Sequence, residues 1–235
     1  MKNYRLVACV LSGCMASLSL SAEAAAPEQP RVYTLRVDLD ASGAITAAAP
    51  LHDGGDRTAR LVGEQLRGWT FQAARAEDRP AGVSTYVRVQ AFPSADGAAP
   101  RIVSAMAGPA PDRLLKPTYP ADAQRRGLQG VVVLQLDTDA QGRVTAATVH
   151  DTEGDVSRAM AEAALASARN WTFHPEQVGG APLASRILMP VCFIATPAAG
   201  ACDWTGPGDK SYDQDTVLVL DPAVRVSALV ALAGG

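Results

Sequence analysis

RNWTFHPEQVGGAP, at residues 169–182, has a close counterpart earlier in the chain, RGWTFQAARAEDRP at residues 67–80. A second matching pair precedes it: LRVDLDASGAITAAAPL at residues 35–51 and LQLDTDAQGRVTAATVH at residues 134–150, separated by an offset of 99. Two segments that recur in the same order indicate a duplicated unit. The 235-residue sequence therefore predicts two small tandem modules rather than one large domain.

Each repeat has the pattern of a β-hairpin, a helix and a closing strand. Apolar and polar residues alternate before a D-A-x-G turn, which is typical of a half-buried strand. Gly43 and Gly142 stand where such a hairpin needs a positive φ. Closing strands are predicted at residues 85–92 and 185–193. The predicted fold class is α+β, with two modules that each pack one helix on a three-stranded antiparallel sheet.

The helix of each repeat lies between an acidic residue and the W-T-F triplet. Asp56 and Asp155 are candidate N-caps, and they stand 13 and 16 positions before Trp69 and Trp171. The three extra positions are close to one helical turn of about 3.6 residues, which predicts a longer second helix with the same buried face. Both tryptophans are predicted to pack in the core, and a binding role for either ring is the alternative.

The N-terminal segment has the features of an export signal. Residues 1–24 combine Lys2 and Arg5 with an apolar run and the sequence Ala-Glu-Ala, which is typical of a cleaved signal peptide. The sequence Leu-Ser-Gly-Cys that ends at Cys14 also resembles a lipobox, whose cysteine is lipidated. An uncleaved anchor is the third interpretation, although the run is shorter than the roughly twenty residues of a spanning helix. We expect a periplasmic protein, with lipoprotein anchoring through Cys14 as an alternative.

Cysteine usage and composition divide the rest of the chain. Cys192 and Cys202 are the cysteines outside the predicted signal, and in an oxidising compartment such a pair predicts a disulfide. Two unpaired buried thiols are the alternative. Residues 93–111 are rich in Pro, Ala and Gly, which favours a linker between the modules. Residues 196–235 are then a disulfide loop and a β tail.

Composition and motifs argue against several function classes. The chain is 48% hydrophobic and 19% charged with a net charge of −3, and no basic patch indicates a nucleic-acid partner. The D-x-D-x-x-G strings at residues 38–43 and 137–142 resemble the start of a calcium loop, but Ala49 and Thr148 stand where a bidentate Glu is required. No histidine spacing of a metal site, nucleophile elbow or phosphate-binding loop is present. We expect no enzymatic activity, cofactor, metal or small-molecule substrate.

The second repeat carries dispersed features in a fixed order. They are Pro117, the pair Tyr119-Pro120, a short helix at residues 121–126 ended by Gly127, Gly130 at a strand start, the D-x-x-G turn, Trp171, Phe173, Pro175, the pair Gly179-Gly180, Pro190 and Phe193. With these features, residues 112–195 closely resemble the C-terminal domain of the TonB energy-transducer family. Residues 31–92 resemble it more weakly, because the Tyr-Pro segment and its helix are missing, and we interpret them as a degenerate copy.

The resemblance implies a role in energy-dependent transport. Members of that family pass energy from an inner-membrane complex to outer-membrane receptors, and they pair the last strand of the domain with a receptor segment called the TonB box. Such pairing is β-augmentation, in which an extended peptide completes the ladder of an edge strand. The expected partner is an outer-membrane TonB-dependent receptor or another envelope protein. The expected partner-binding residues are Tyr119, Pro120, Ser185, Arg186, Ile187, Leu188, Met189 and Val191.

Two features depart from a full transducer. The predicted linker, even fully extended, reaches only about 60 Å, so we expect binding rather than energy transduction by this chain alone. Residues 216–233 read as two apolar β segments around Asp221-Pro222, and a segment that paired with residues 185–191 would fill the docking edge in cis. The rival function is therefore a self-associating structural envelope protein, with edges paired internally or in a homodimer.

Overall fold

The computed structural model describes residues 29–52, 56–73, 82–93, 98–196 and 201–228. The predicted signal peptide, with Cys14, lies outside these residues. Three helices are described: α1 Arg57–Leu66, α2 Ala121–Arg125 and α3 Arg158–Ala168. The strands are β1 Arg31–Leu39, β2 Ile45–Pro50, β3 Thr70–Ala73, β4 Val83–Phe92, β5 Arg101–Gly108, β6 Ala110–Arg113, β7 Gly130–Thr138, β8 Val144–Gly154, β9 Thr172–His174, β10 Gln177–Val178, β11 Ala181–Pro182, β12 Ser185–Phe193, β13 Trp204–Gly206, β14 Lys210–Tyr212, β15 Leu218–Val219 and β16 Val224–Ala228.

Two antiparallel sheets form the framework of the molecule. The N-terminal sheet has the order β11-β10-β4-β1-β2, with β5 also paired to β4. The C-terminal sheet has the order β15-β12-β7-β8. Helix α1 packs on β1 and β2, and α3 packs on β7 and β8. The fold is therefore α+β, as predicted, and both halves contain a hairpin, a helix, a short strand and a long strand in the same order.

The predicted count of three strands per sheet is wrong, and so is part of the predicted linker. Residues 101–108 form β5, which pairs with β4 from Tyr86 to Phe92. The Ala- and Gly-rich composition of this segment suggested a linker, but Ile102 is 8% exposed and packs in the core of the N-terminal sheet. Strands β10 and β11 also join that sheet, although they follow the second W-T-F triplet.

The helix starts agree with the prediction in one repeat and differ in the other. Asp56 caps α1, because its side chain accepts the N–H of Thr58. The predicted cap Asp155 is wrong, since Ser157 caps α3 through the Met160 N–H. The predicted extra helical turn is also wrong: α3 has 11 residues and α1 has 10, whereas β8 has 11 and β2 has 6. The helix starts at residues 57 and 158 are offset by 101 and the helix ends at residues 66 and 168 by 102, so two of the three extra positions precede the helix and one lies within it.

Both tryptophans of the repeated triplet lie in the cores, as predicted. Trp69 is 7% exposed in the core of the N-terminal sheet, and Trp171 is 3% exposed in that of the C-terminal sheet. The indole N–H of Trp171 donates to the Leu115 carbonyl at 2.8 Å. The ring therefore buries its apolar body beneath the helix end and satisfies its single donor.

The D-A-x-G turn and the W-T-F triplet recur together because they touch. The Phe173 N–H donates to the Gly142 carbonyl at 2.8 Å, and the Phe71 N–H donates to the Gly43 carbonyl at 3.1 Å. Both glycines have positive φ, +76° and +84°. A Cβ on Gly142 would lie 1.7 Å from the Phe173 carbonyl oxygen. Only glycine allows the turn to approach the strand behind the helix this closely.

In each D-A-x-G turn, the aspartate side chain accepts main-chain N–H groups of the same turn. The Asp139 carboxylate accepts the N–H groups of Gln141 and Arg143, both at 2.9 Å. The backbone hydrogen bond from Arg143 is the main cause of an Asp139 pKa below its usual range. Asp40 has the same position in the first repeat, where the hydrogen bond from the Ser42 side chain is the main cause of its lowered pKa.

We expect Gly142→Ala to destabilise the protein by more than about 2 kcal/mol, because it combines backbone strain at positive φ with a clash against Phe173. Gly127→Ala is the matched control: Gly127 has a φ of +66° but nothing within 4 Å of the added Cβ, so it should lose only about 1 kcal/mol. Urea unfolding of both variants measures the difference. Equal losses would contradict the contact as the reason for glycine.

The charge of Asp139 should make stability depend on acid pH. A carboxyl whose pKa is lower in the folded chain than in the unfolded chain stabilises the fold above its unfolded pKa of about 3.9. That contribution is lost as the pH falls through the folded pKa. We expect the stability difference between wild type and Asp139→Asn to shrink between about pH 5 and pH 2, measured by urea unfolding at each pH. A difference that stays constant would contradict this assignment.

Candidate functional site

Strand β12 carries the residues predicted to bind a partner, and it lies inside the C-terminal sheet. It pairs with β7 along its whole length, from Ser185 opposite Thr138 to Phe193 opposite Gly130. Ile187, Met189 and Val191 face the core under α3. Leu188 faces the opposite side of the sheet, where it is fully buried. The sequence therefore predicted both the bounds of this strand and the alternation of its two faces.

The side of β12 away from β7 is partly covered by the C-terminal tail. Strand β15 pairs antiparallel with it, Ile187 opposite Val219 and Leu188 opposite Leu218. Next to this ladder, the Arg186 carbonyl accepts the Leu220 N–H at 2.9 Å, and the Arg186 N–H donates to the Asp221 carboxylate at 2.8 Å. Of the two alternatives for this edge, the structure therefore has the one filled in cis over residues 186–188.

The Tyr119-Pro120 pair lies at the other end of β12. The Tyr119 hydroxyl donates to the Leu128 carbonyl, and its ring meets the Phe193 ring edge-on at 5.3 Å. Pro120 is the N-cap residue of α2. Phe193 lies seven residue steps along the strand from Arg186, a distance of about 23 Å at the usual rise of a β-strand. The structure therefore places the Tyr-Pro pair and the covered part of the edge at opposite ends of one strand.

The predicted disulfide joins β12 to the tail. Cys192 and Cys202 are bonded, with their Cα atoms 5.6 Å apart. Just beyond the disulfide, Trp204 is 1% exposed and packs against Tyr212, with ring centroids 5.1 Å apart. These residues cover the face of the sheet opposite α3, together with Leu188. The disulfide loop is thus the start of a packed layer that the sequence did not predict.

Comparison with known proteins points to one family. Residues 116–194 match the family model described as Gram-negative bacterial TonB protein C-terminal. These residues form a TonB C-terminal domain. They include α2, α3 and every strand from β7 to β12. The confirmed resemblance therefore rests on the part of the chain that holds the predicted docking strand.

Individual relatives of this TonB C-terminal domain agree. The chain is 40% identical over 77 residues to Protein TonB of Xanthomonas campestris pv. campestris (strain B100), covering 33% of this chain and 34% of that protein. It is 33% identical over 79 residues to Protein TonB of Vibrio cholerae serotype O1, covering 34% of this chain and 32% of that protein. The chain thus spans about a third of the length of these relatives. The likeness of residues 31–92 to the same family stays a prediction.

Sequence reasoning missed a buried carboxylate in the short segment between β9 and β10. Glu176 is fully buried and accepts the Thr85 hydroxyl at 2.6 Å and the Ala223 N–H at 3.0 Å. It thus links β4, the segment after W-T-F and the tail. A single Glu after the W-x-F-x-P motif gave no signal of burial, because its partners lie 91 and 47 residues away.

A second missed contact ties the tail to β4. The Arg88 guanidinium donates to the Asp215 carbonyl at 2.7 Å, and the Gln90 amide donates to the Asp213 carboxylate at 2.5 Å. Burial lowers the pKa of Arg88, against the opposing effect of the two aspartates. Burial also raises the pKa of Asp215, with the Asp213 charge adding to it. The tail therefore contacts both sheets.

No helix in the ranges that the structure describes is both long and apolar enough to span a membrane. The same ranges hold no group of three or more His, Cys, Asp or Glu side chains placed to bind a metal ion.

Reduction of the disulfide should loosen the tail. The bond closes a loop with a sequence separation of 10, for which the chain-entropy model gives a stabilisation of about 2–3 kcal/mol. We expect the double variant Cys192→Ser/Cys202→Ser to lose that amount in urea unfolding, and the wild type to lose it on adding a thiol reductant. The double variant is the control for the reductant, since its own stability should not change. A wild type indifferent to reductant would contradict this role.

Proposed function

We propose that this chain is an exported TonB-like protein that binds envelope proteins, outer-membrane TonB-dependent receptors among them, in support of energy-dependent solute transport. Binding is by β-strand augmentation at the edge formed by residues 185–191. The observation that carries the proposal is the TonB C-terminal match at residues 116–194, which includes this whole strand. The role is one of binding, without chemical catalysis.

The arrangement of the two sheets supports docking at β12 rather than at β4. Strand β4 is the counterpart of β12 in the N-terminal sheet, and its outer side is paired with β10 and then with β5 over most of its length. On β12, the outer partner β15 is only two residues long. Pairing therefore leaves β12 the more accessible of the two strands to an added peptide.

A second candidate function is a structural envelope protein whose edges are paired within the chain. The observation that favours it is that both β4 and β12 have an outer partner from this same chain. In that case an extended peptide from a receptor finds no ladder to complete. Self-association would then use another surface, such as the β8 edge of the C-terminal sheet.

Site-specific photo-crosslinking in envelopes of the source bacterium separates the two candidates. We place the photoreactive residue at Arg186 on β12 in one variant and at Thr148 on the exposed edge strand β8 in the control. Docking at β12 predicts crosslinks from position 186 to outer-membrane receptors, at least several-fold stronger than from position 148.

Two results would overturn receptor docking at β12. Equal receptor crosslinking from positions 186 and 148 would show contact without use of the β12 edge. Crosslinks confined to second copies of the chain would support the structural candidate instead.

A further inference from the structure

The tail segment on β12 is arranged as a bound peptide would be. Residues 217–221 run antiparallel to β12 beside residues 186–188. Val217 is 5% exposed and packs in the core under α3. Leu218 packs against the cluster of Leu188 and Trp204 on the opposite face. The segment therefore combines main-chain pairing with alternating apolar contacts, which are the two components of β-augmentation.

Residues 217–221 pair with successive outward-pointing main-chain groups of β12. Both the N–H and the carbonyl of Arg186 point to the tail and are bonded to it. The main-chain N–H and carbonyl of Leu188, two residues further along, point to the same side as those of Arg186, and Leu188 pairs with Leu218. Pro190 has the next equivalent position, and proline has no N–H to offer. The tail thus occupies the part of the edge where an extended peptide could form a regular ladder.

An acidic side chain completes the contact. The Asp221 carboxylate accepts the Arg186 N–H at 2.8 Å. In a regular antiparallel ladder, a main-chain carbonyl of the tail would accept this N–H instead. A charged acceptor gives a stronger hydrogen bond than a neutral one. The occupant of the edge therefore has a definite chemistry: apolar residues in an extended conformation, followed by a carboxylate.

The segment is held at both ends but is itself short. Upstream, the Cys192–Cys202 disulfide fixes the tail to β12. Downstream, β16 pairs with β3, and Ala223 donates to Glu176. Between these anchors β15 forms only two residue pairs with β12, against nine between β12 and β7. Of the two neighbours of β12, β15 is therefore the one that a competing strand can displace with fewer lost contacts.

We propose that residues 217–221 are a built-in occupant of the docking edge, and that the edge takes in trans an extended peptide of the same chemistry, with alternating apolar residues before a carboxylate. This inference rests on the proposed function, in which β12 is the docking strand. A tethered segment has an effective concentration on the order of millimolar. A partner at micromolar concentration must outcompete it, so the tail sets the threshold for binding.

The test uses the full chain and the tail sequence itself as the probe. Leu220→Pro removes the N–H that donates to Arg186, while Leu220→Ala keeps that N–H and changes only a side chain that is 39% exposed. Wild type and both variants are titrated with the synthetic peptide DTVLVLDP, the sequence of residues 215–222, and NMR follows the amides of Arg186 and Leu188. DTVLVLAP is the control peptide, because it lacks the carboxylate next to the proline.

We expect Leu220→Pro to bind DTVLVLDP at least about tenfold more tightly than Leu220→Ala and wild type. Its Arg186 and Leu188 amides should exchange at least about tenfold faster before the peptide is added and regain protection afterwards. DTVLVLAP should bind more weakly. Unchanged exchange in Leu220→Pro, or equal peptide affinity in all three proteins, would overturn the inference.

A second variant guards against a folding defect in Leu220→Pro. Asp221→Ala removes the acceptor of the Arg186 N–H, and Asp203→Ala, at another exposed aspartate of the tail, is its control. Faster Arg186 exchange and tighter peptide binding are expected in Asp221→Ala and not in Asp203→Ala. The same behaviour in both variants would count against the inference.

Failure of the inference and failure of the proposed function give different results. If the opened edge binds DTVLVLDP but position 186 never crosslinks to a receptor, the occupant is real and receptor docking is wrong. If wild type and Leu220→Pro crosslink to receptors equally well, docking holds and the tail sets no threshold.

Discussion

The hydrogen bond between the Phe173 N–H and the Gly142 carbonyl is the constraint on which the C-terminal half depends. It joins the hairpin turn of β7 and β8 to β9, the short strand that follows α3, and so fixes the C-terminal end of the helix to that turn. Trp171, two residues before Phe173, then lies in the core beneath the helix end. The contact between Phe71 and Gly43 does the same in the N-terminal half. The D-A-x-G turn and the W-T-F triplet recur in both halves because, within each half, the glycine of the turn is hydrogen-bonded to the phenylalanine of the triplet.

The two halves are then tied together by segments outside the repeat. Strands β10 and β11 leave the second W-T-F triplet and join the N-terminal sheet, and the tail passes over β12 before β16 pairs with β3. Glu176 lies where these segments meet, and a buried carboxylate is costly unless it is hydrogen-bonded. If β4 and the tail moved apart, the Glu176 carboxylate would lose the hydrogen bonds that it accepts from Thr85 and Ala223. The path of the tail across β12 is therefore a consequence of how the sheets are joined.

The outer edge of β12 is covered by β15 over only part of its length. The strand, its alternating faces and the family match are all present at residues 185–193. What differs from an open edge is a neighbour of two residues, supported by a disulfide and by a carboxylate on the Arg186 N–H. Edge strands expose unpaired backbone groups, and covering them prevents unwanted association. A cover this short is compatible with both protection and exchange for a partner strand.

The sequence by itself determined the features that depend on neighbours in the chain. The alternation that defines Ser185–Phe193, the Asp56 cap, and the glycines at positive φ all follow from local periodicity and backbone sterics. The disulfide was predictable as well, because Cys192 and Cys202 are a lone pair close in sequence. Only the tertiary structure decided which strand covers which edge: β5 on β4, β15 on β12 and β16 on β3. The physical reason is that every strand edge presents the same main-chain N–H and C=O groups, so the alternation within one strand does not show which distant segment of the chain will reach that edge.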